Sequence, residues 1–276
     1  MEKDTILYIL NKSKEYLTQK NIPNPRLDVE LLLSTELNLE RIKLYSNFDK
    51  KLSEEQKDSL RDKIKQRGEG KPLSYILNKK SFFKSDFYVD ESVLIPRPET
   101  EELVEFVLKD IKENQAVLDL GSGSGCIGIS LKKEIPSLQI DFSDISSEAL
   151  EVCKKNFESL LPNENANFFT SDLFDQIPMK KYEWILTNPP YIPIAEKPNL
   201  MRDVVDYEPS LALFLEDPKE FNSRLLTSSQ NYLKENGKLV METNPDWIQD
   251  LIQLSPYQNF QIVKDLSLKE RFIIFS

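Results

Sequence analysis

The chain has 276 residues, 39% hydrophobic and 30% charged, with 46 acidic against 36 basic side chains and a net charge of -10. That length accommodates one large domain and a smaller one. The acidic balance argues against tight, free-standing binding to a nucleic-acid backbone, where basic surfaces gain affinity from counterion release.

The absence of histidine excludes Ser-His-Asp and Cys-His nucleophile systems, histidine general bases and histidine metal sites. Cys126 and Cys153, in no C-x-x-C spacing, form neither a disulfide framework nor a structural zinc site. No metal is expected, and a reducing, cytoplasmic compartment is. No apolar run approaches the ~18–20 residues that span a bilayer, so no membrane partner is expected. Met1-Glu2-Lys3-Asp4 is too polar to open a secretory signal.

Residues 1–77 read as a helical bundle. Ile6, Leu7, Ile9 and Leu10 begin one apolar stripe, and Leu27 to Leu33 carry a second. Ser53-Glu54-Glu55-Gln56 resembles a helix start, leading through Leu60 and Ile64 to Gly68. Residues 78–98 read as a β-hairpin linker, its apolar arms (Phe82, Phe83, Phe87, Tyr88, Val89, then Val93, Leu94, Ile95) flanking a polar break at Asp90-Glu91-Ser92. Pro96-Arg97-Pro98 leads stiffly into a helix opened by Glu99-Thr100-Glu101-Glu102, an acidic first turn favoured by the helix dipole.

Residues 99–276 alternate strand and helix. Strands are expected at 116–120, 138–142, 167–170, 183–187, 238–242, 260–264 and 271–275, and helices at 146–160 and 219–235. This pattern predicts an α/β fold with a mostly parallel sheet covered on both faces. The last two strands, joined only by 265–270, should pair antiparallel.

Four of the seven glycines fall within eight residues, at Gly121, Gly123, Gly125 and Gly128. They follow the strand Val117-Leu118-Asp119-Leu120 and open a helix, where a ligand can lie against bare backbone. Asp144 lies roughly 20 residues beyond, the spacing at which a carboxylate binds ribose hydroxyls. The loop satisfies two patterns. Gly123 to Gly128 reads G-x-G-x-x-G, as in NAD-binding proteins, whereas Gly121-Ser122-Gly123-Ser124-Gly125 reads G-x-G-x-G, so the nucleoside ligand stays open here.

A later strand runs into Asn188-Pro189-Pro190-Tyr191. Sheet ligands sit beyond strand C-termini, so this loop should face the glycine turn. Its prolines fix the backbone and offer carbonyl oxygens. The Asn188 side-chain oxygen and the Pro189 carbonyl can accept both hydrogens of an –NH2 group, and Tyr191 offers a flat face. Two such acceptors orient a planar, delocalised nitrogen for attack on a methyl group without a histidine base.

The tetrapeptide resembles the signature of methyltransferases acting on amide or amino nitrogens. Nearly end to end, the chain is similar to the release factor glutamine methyltransferase (HemK-type) family. Further matches are Lys71 to Leu77, Leu94-Ile95-Pro96-Arg97-Pro98-Glu99-Thr100-Glu101, Ser171-Asp172-Leu173-Phe174 and Tyr207 to Leu213. The resemblance implies a class I methyltransferase fold, with a Rossmann-like sheet and an antiparallel last strand. It implies S-adenosylmethionine as methyl donor, with S-adenosylhomocysteine as product. Gly121, Ser122, Gly123, Ser124 and Gly125 would hold its methionine end, Asp144 its ribose, Asp172 and Leu173 would border its adenine, and Asn188 would also count among the cofactor-binding residues.

By the same resemblance, Asn188, Pro189, Pro190 and Tyr191 would take the glutamine of the Gly-Gly-Gln loop of peptide chain release factors. The helical N-terminal domain would help grip that protein partner, with the enzyme a monomer. An adenine-N6 amino methyltransferase acting on DNA or RNA uses the same loop. The acidic balance and the lack of a target-recognition domain stand against it, and no direct nucleic-acid contact is expected.

Asn78, Leu215-Glu216-Asp217, Thr243-Asn244-Pro245 and Asp265-Leu266-Ser267 stand where the family usually has glycines. Arg97 is a candidate for orienting a substrate or cofactor carboxylate. Cys126, at a helix start, could have a lowered pKa, but packing is the expected role of both cysteines.

Overall fold

The computed structural model describes residues 4–199 and 202–276. Met1 to Lys3, most of the polar N-terminus read above, lie outside the described residues. The chain forms two compact units, one comprising Met1–Lys79 with Arg202–Tyr207, the other Lys80–Met201 with Glu208–Ser276.

The first unit contains α1 (Ile6–Gln19), α2 (Pro25–Glu36), the short α3 (Arg41–Leu44), α4 (Glu54–Gly68) and α5 (Leu73–Leu77). Helix α4 starts as its sequence suggests. The Ser53 hydroxyl accepts from the Gln56 N–H and the Gln56 side chain accepts from the Ser53 N–H, a reciprocal capping box. Asn78 ends α5 in the left-handed region (φ 48°), a conformation asparagine tolerates. Ile6, Leu10, Leu17, Val29, Leu32, Leu33, Leu60 and Ile64 form the core. Among them the Arg67 Nε donates to Asp28 at 2.6 Å, a buried ion pair.

In the second unit a hairpin comes first, inside the expected 78–98 segment but with its turn ahead of the polar break. Its strands are β1 (Lys80–Phe82) and β2 (Ser85–Phe87). The chain reverses at Phe83, which takes φ 52°. Asp90-Glu91-Ser92 is a separate turn, closed by the Val93 N–H on the Asp90 carbonyl. The cause is packing: Phe82 and Phe87 face the same core and meet edge-to-face at 5.9 Å, a stronger determinant of the turn than the polar run.

The chain continues through α6 (Pro98–Leu108), β3 (Ala116–Leu120), α7 (Cys126–Glu134), β4 (Gln139–Asp144), α8 (Ser147–Leu160), β5 (Asn167–Thr170), β6 (Tyr182–Thr187) and the two-residue β7 (Ile192–Pro193). After α9 (Arg202–Tyr207), which belongs to the helical unit, come α10 (Ser210–Leu213), β8 (Phe214–Leu215), α11 (Pro218–Tyr232), β9 (Leu233–Glu242), α12 (Ile248–Leu254), β10 (Phe260–Lys264) and β11 (Glu270–Phe275).

Seven strands form one sheet in the order β10-β11-β9-β6-β3-β4-β5. All neighbours are parallel except β11, which runs antiparallel to both β9 and β10. Successive residues serve opposite faces. Val117, Leu186 and Val240 join a core with α6, α7 and α8, whereas Leu118, Ile185 and Met241 join one with α11 and α12. Strand β9 begins at Leu233, earlier than expected, because Leu233 itself pairs with Tyr182, and the polar stretch 234–237 is taken up in a register shift before Lys238 pairs with Trp184. No helix among the described residues is long and apolar enough to cross a membrane.

Candidate functional site

Strands β3 and β6 are parallel neighbours whose last residues, Leu120 and Thr187, sit directly opposite one another. Both loops that follow therefore open on one side of the sheet. There they line a single cavity of about 300 Å³, with Gly121, Ser122, Gly123 and Ser124 on one wall and Asn188, Pro189 and Pro190 on another.

The glycine loop is shaped by backbone it alone permits. Gly123 (φ +52°) has nothing within 4 Å of where a Cβ would stand, so a side chain there would enter the cavity. Gly125 (φ +78°) does not line the cavity. A Cβ on it would lie 2.6 Å from the Cys153 sulfur, so this glycine is a packing requirement behind the loop. The loop is tied to β4 by the Gly121 and Ser122 N–H groups, which both donate to the Ser143 carbonyl at 2.8 and 2.9 Å.

Asp144, at the end of β4, accepts from the Gly123 N–H at 2.8 Å and from the Ser146 N–H at 3.0 Å. With the Ile145 N–H also acting on it, the carboxylate still has lone-pair capacity left for a ligand. Burial raises its pKa against the opposing pull of those N–H donors. Asp119, beneath the loop, is fully buried. One oxygen accepts from the Gly128 N–H at 2.8 Å, the other has no partner in the described structure, and burial pushes its pKa to about 7.

Asp172 and Leu173 also line the cavity. Leu173 takes φ 49°, and the Asp172 carboxylate accepts from Arg224 at 2.9 Å. Leu211, Phe214, Phe221 and Leu225 add an apolar wall. Arg97 lines the cavity too, but its Nη2 donates to Glu208 at 2.6 Å. The other Glu208 oxygen accepts from the Ile95 N–H at 3.2 Å, so Arg97 straps the Pro-Arg-Pro segment to the chain before Pro209.

Tyr191 is not among the cavity's walls. It is half-buried, and its phenol pKa is raised by burial and by the nearby Glu242 carboxylate, with Arg271, Arg97 and Glu99 also acting on it. Cys126 is buried, and burial drives its thiol pKa upward rather than down. The helix start does not make it a thiolate.

Sequence reasoning missed Thr100 and Glu242. Thr100, read as part of a helix start and of the segment Leu94 to Glu101 but given no role of its own, is buried in the cavity wall. It accepts from the Asn188 amide at 3.2 Å and donates to Glu242 at 2.8 Å. Nothing in the local sequence marks this contact, which joins positions 142 residues apart. Among the described residues no cluster of acidic or cysteine side chains could hold a metal.

Residues 99–209 match the family model described as the methyltransferase small domain, and residues 9–77 match the PrmC N-terminal domain. The chain is 52% identical over 281 aligned positions to the release factor glutamine methyltransferase of Leptospira interrogans, covering 99% of this chain and 98% of that protein. It is 35% identical to the enzyme of the same description from Rhodopirellula baltica, covering 98% and 95%. A methyltransferase from Pyrococcus furiosus shares the fold at a TM-score of 0.52 and 15% identity, over 71% of this chain and 90% of that one. With identity sustained across both units, the chain belongs to the release factor glutamine methyltransferase family.

Proposed function

We propose that the protein transfers a methyl group from S-adenosylmethionine to the side-chain amide nitrogen (N5) of the glutamine in the Gly-Gly-Gln motif of peptide chain release factors. The names of its full-length relatives support the substrate. The observation that carries the chemistry is that the glycine loop and Asn188-Pro189-Pro190 share one cavity at the level ends of adjacent strands.

The residues present fit the methyl donor. Bare backbone at Gly121 to Ser124 leaves room for its methionine end, with Gly125 supporting the turn from behind. Asp144 would accept from ribose hydroxyls with its remaining lone-pair capacity, and Asp172 and Leu173, which line the same cavity, would border the adenine. When bound, S-adenosylmethionine supplies an electrophilic methyl carbon on a sulfonium.

The protein's own work is orientation. The Asn188 Oδ1 and the Pro189 carbonyl would accept the two hydrogens of the glutamine amide. This fixes its plane and stabilises positive charge developing on nitrogen. The apolar wall of Leu211, Phe214 and Phe221 would exclude water from the reacting nitrogen. The amide proton is acidic after transfer and departs to solvent, so no general base is required. Tyr191 would hold the Asn-Pro-Pro turn from outside the cavity. Residues 1–77 would help grip the release factor, the enzyme acting as a monomer in the cytoplasm, a compartment that two free, buried thiols suit.

Incubating the protein with methyl-labelled S-adenosylmethionine and either a release factor or DNA tests the assignment. Label should enter the release factor, and Asn188→Ala should abolish transfer while leaving cofactor affinity within about twofold. Label in DNA alone, or normal turnover by Asn188→Ala, would refute it.

A further inference from the structure

The Asn188 carboxamide has two chemically opposite edges, and only one of them can accept a substrate hydrogen. The surroundings decide which. Glu242, at the C-terminal end of β9, is 2% exposed and packs an oxygen 2.8 Å from the Thr100 hydroxyl. A carboxylate has no proton to give, so the single hydroxyl proton of Thr100 goes to Glu242. The hydroxyl is then left with lone pairs only, and the Asn188 edge that meets it at 3.2 Å must be the NH2. The Asn188 Oδ1 makes no hydrogen bond with any described residue, and Asn188 lines the cavity.

We propose that Thr100 and Glu242 are positioning residues that hold the acceptor edge of Asn188 toward the substrate amide. The role of Oδ1 rests on the function proposed above; the orientation itself rests only on the hydrogen-bond chain. Neither residue touches the reacting atoms. Arg271 and Arg97 face Glu242 as cations, Glu99 as an anion and Tyr191 as a neutral phenol. Burial dominates among these influences and brings Glu242 to about pH 7.

The device is thus sensitive to acid. A protonated Glu242 can donate to Thr100, Thr100 can then donate to Asn188, and the carboxamide settles with its NH2 toward the cavity. Two hydrogen-bond donors would then oppose the substrate NH2.

The test uses the full chain and three substitutions. Thr100→Val keeps the shape and removes the hydroxyl. It should lower kcat for release-factor methylation about tenfold or more, with cofactor affinity near that of the unaltered protein and a melting temperature a few degrees lower, since the buried Glu242 loses a hydrogen-bond donor. Thr100→Ser should recover most of the loss. Glu242→Gln should flatten the decline in kcat that the unaltered protein shows as pH falls through about 7.

Side-chain amide NMR of Asn188 reads the orientation without any substrate. Its NH2 protons should be slow to exchange, become fast in Thr100→Val and shift with the same midpoint as the rate. Unchanged kcat in Thr100→Val, or unaltered Asn188 exchange, overturns the proposal. So does a loss that Thr100→Ser fails to restore, which would mark a purely structural role. If the NMR behaves as described but the unaltered protein leaves release factors unlabelled, the substrate assignment fails and the positioning role stands.

Discussion

Alanine at Gly125 and alanine at Gly123 separate the two demands made on the glycine loop. At Gly125, φ of +78° costs an L-residue roughly 1–2 kcal/mol. The new methyl would also stand 2.6 Å from the Cys153 sulfur and 2.8 Å from Ile129 Cδ1, an overpacking that costs about 1–3 kcal/mol. The sum, roughly 2–5 kcal/mol, corresponds to a melting temperature lower by about 5–15 °C. At Gly123 only the backbone penalty applies, because nothing lies within 4 Å of the added methyl. That methyl enters the cavity instead, and should weaken S-adenosylmethionine binding about tenfold or more.

Thermal unfolding by circular dichroism and equilibrium dialysis with labelled cofactor measure the two effects. Gly125→Ala should be the less stable variant, and Gly123→Ala should bind more weakly than its small loss of stability explains. Adding Cys153→Ala to Gly125→Ala should recover the share of the overpacking due to the sulfur, with the Ile129 contact remaining, leaving the double variant more stable than the sum of the singles implies. A Gly125→Ala protein that melts like the parent, strict additivity with Cys153→Ala, or normal cofactor affinity in Gly123→Ala would refute the reasoning.

Two further outcomes concern stability. Asp28→Ala strands the buried Arg67 guanidinium, which would keep only the Lys71 carbonyl at 3.1 Å and a long contact to that of Gly70. It should cost about 3–5 kcal/mol in urea unfolding of the helical unit, and a cost below about 1 kcal/mol would show the pair to be dispensable. Asp119, raised by burial to about 7, binds a proton more tightly folded than unfolded. Its stabilising share is therefore complete below about pH 4 and is lost as pH rises toward 7, by at most about 1.4 kcal/mol per pH unit. Asp119→Asn should flatten that slope in urea midpoints taken between those limits. An unchanged slope would contradict the assignment.

The sheet was legible because strands buried on both faces must be apolar, as in Val117-Leu118 and Ile185-Leu186, and because a polar break separates each from its helix. The hairpin was found but its turn was misplaced, because two phenylalanines packing on a common core outweigh a polar tripeptide. The two-residue strands β7 and β8 are too short to leave a periodicity. The glycine loop, Asp144 and Asn188 could be found because their chemistry is local to a strand end. Thr100 and Glu242 could not, since each looks ordinary in its own segment: a threonine in a helix's first turn and a glutamate closing a strand. Their connection exists only after the chain has folded.

The pairing of Leu120 with Thr187 sets a ruler inside the molecule. Sliding one strand past the other by a single residue would move its loop by about 3.3 Å and turn its side chains to the opposite face, more than an aligned methyl transfer tolerates. Insertions should therefore be lethal within β3 or β6 yet harmless at the outer rim. A lineage built on this frame is free to alter what it captures while the gap across which the methyl travels stays constant.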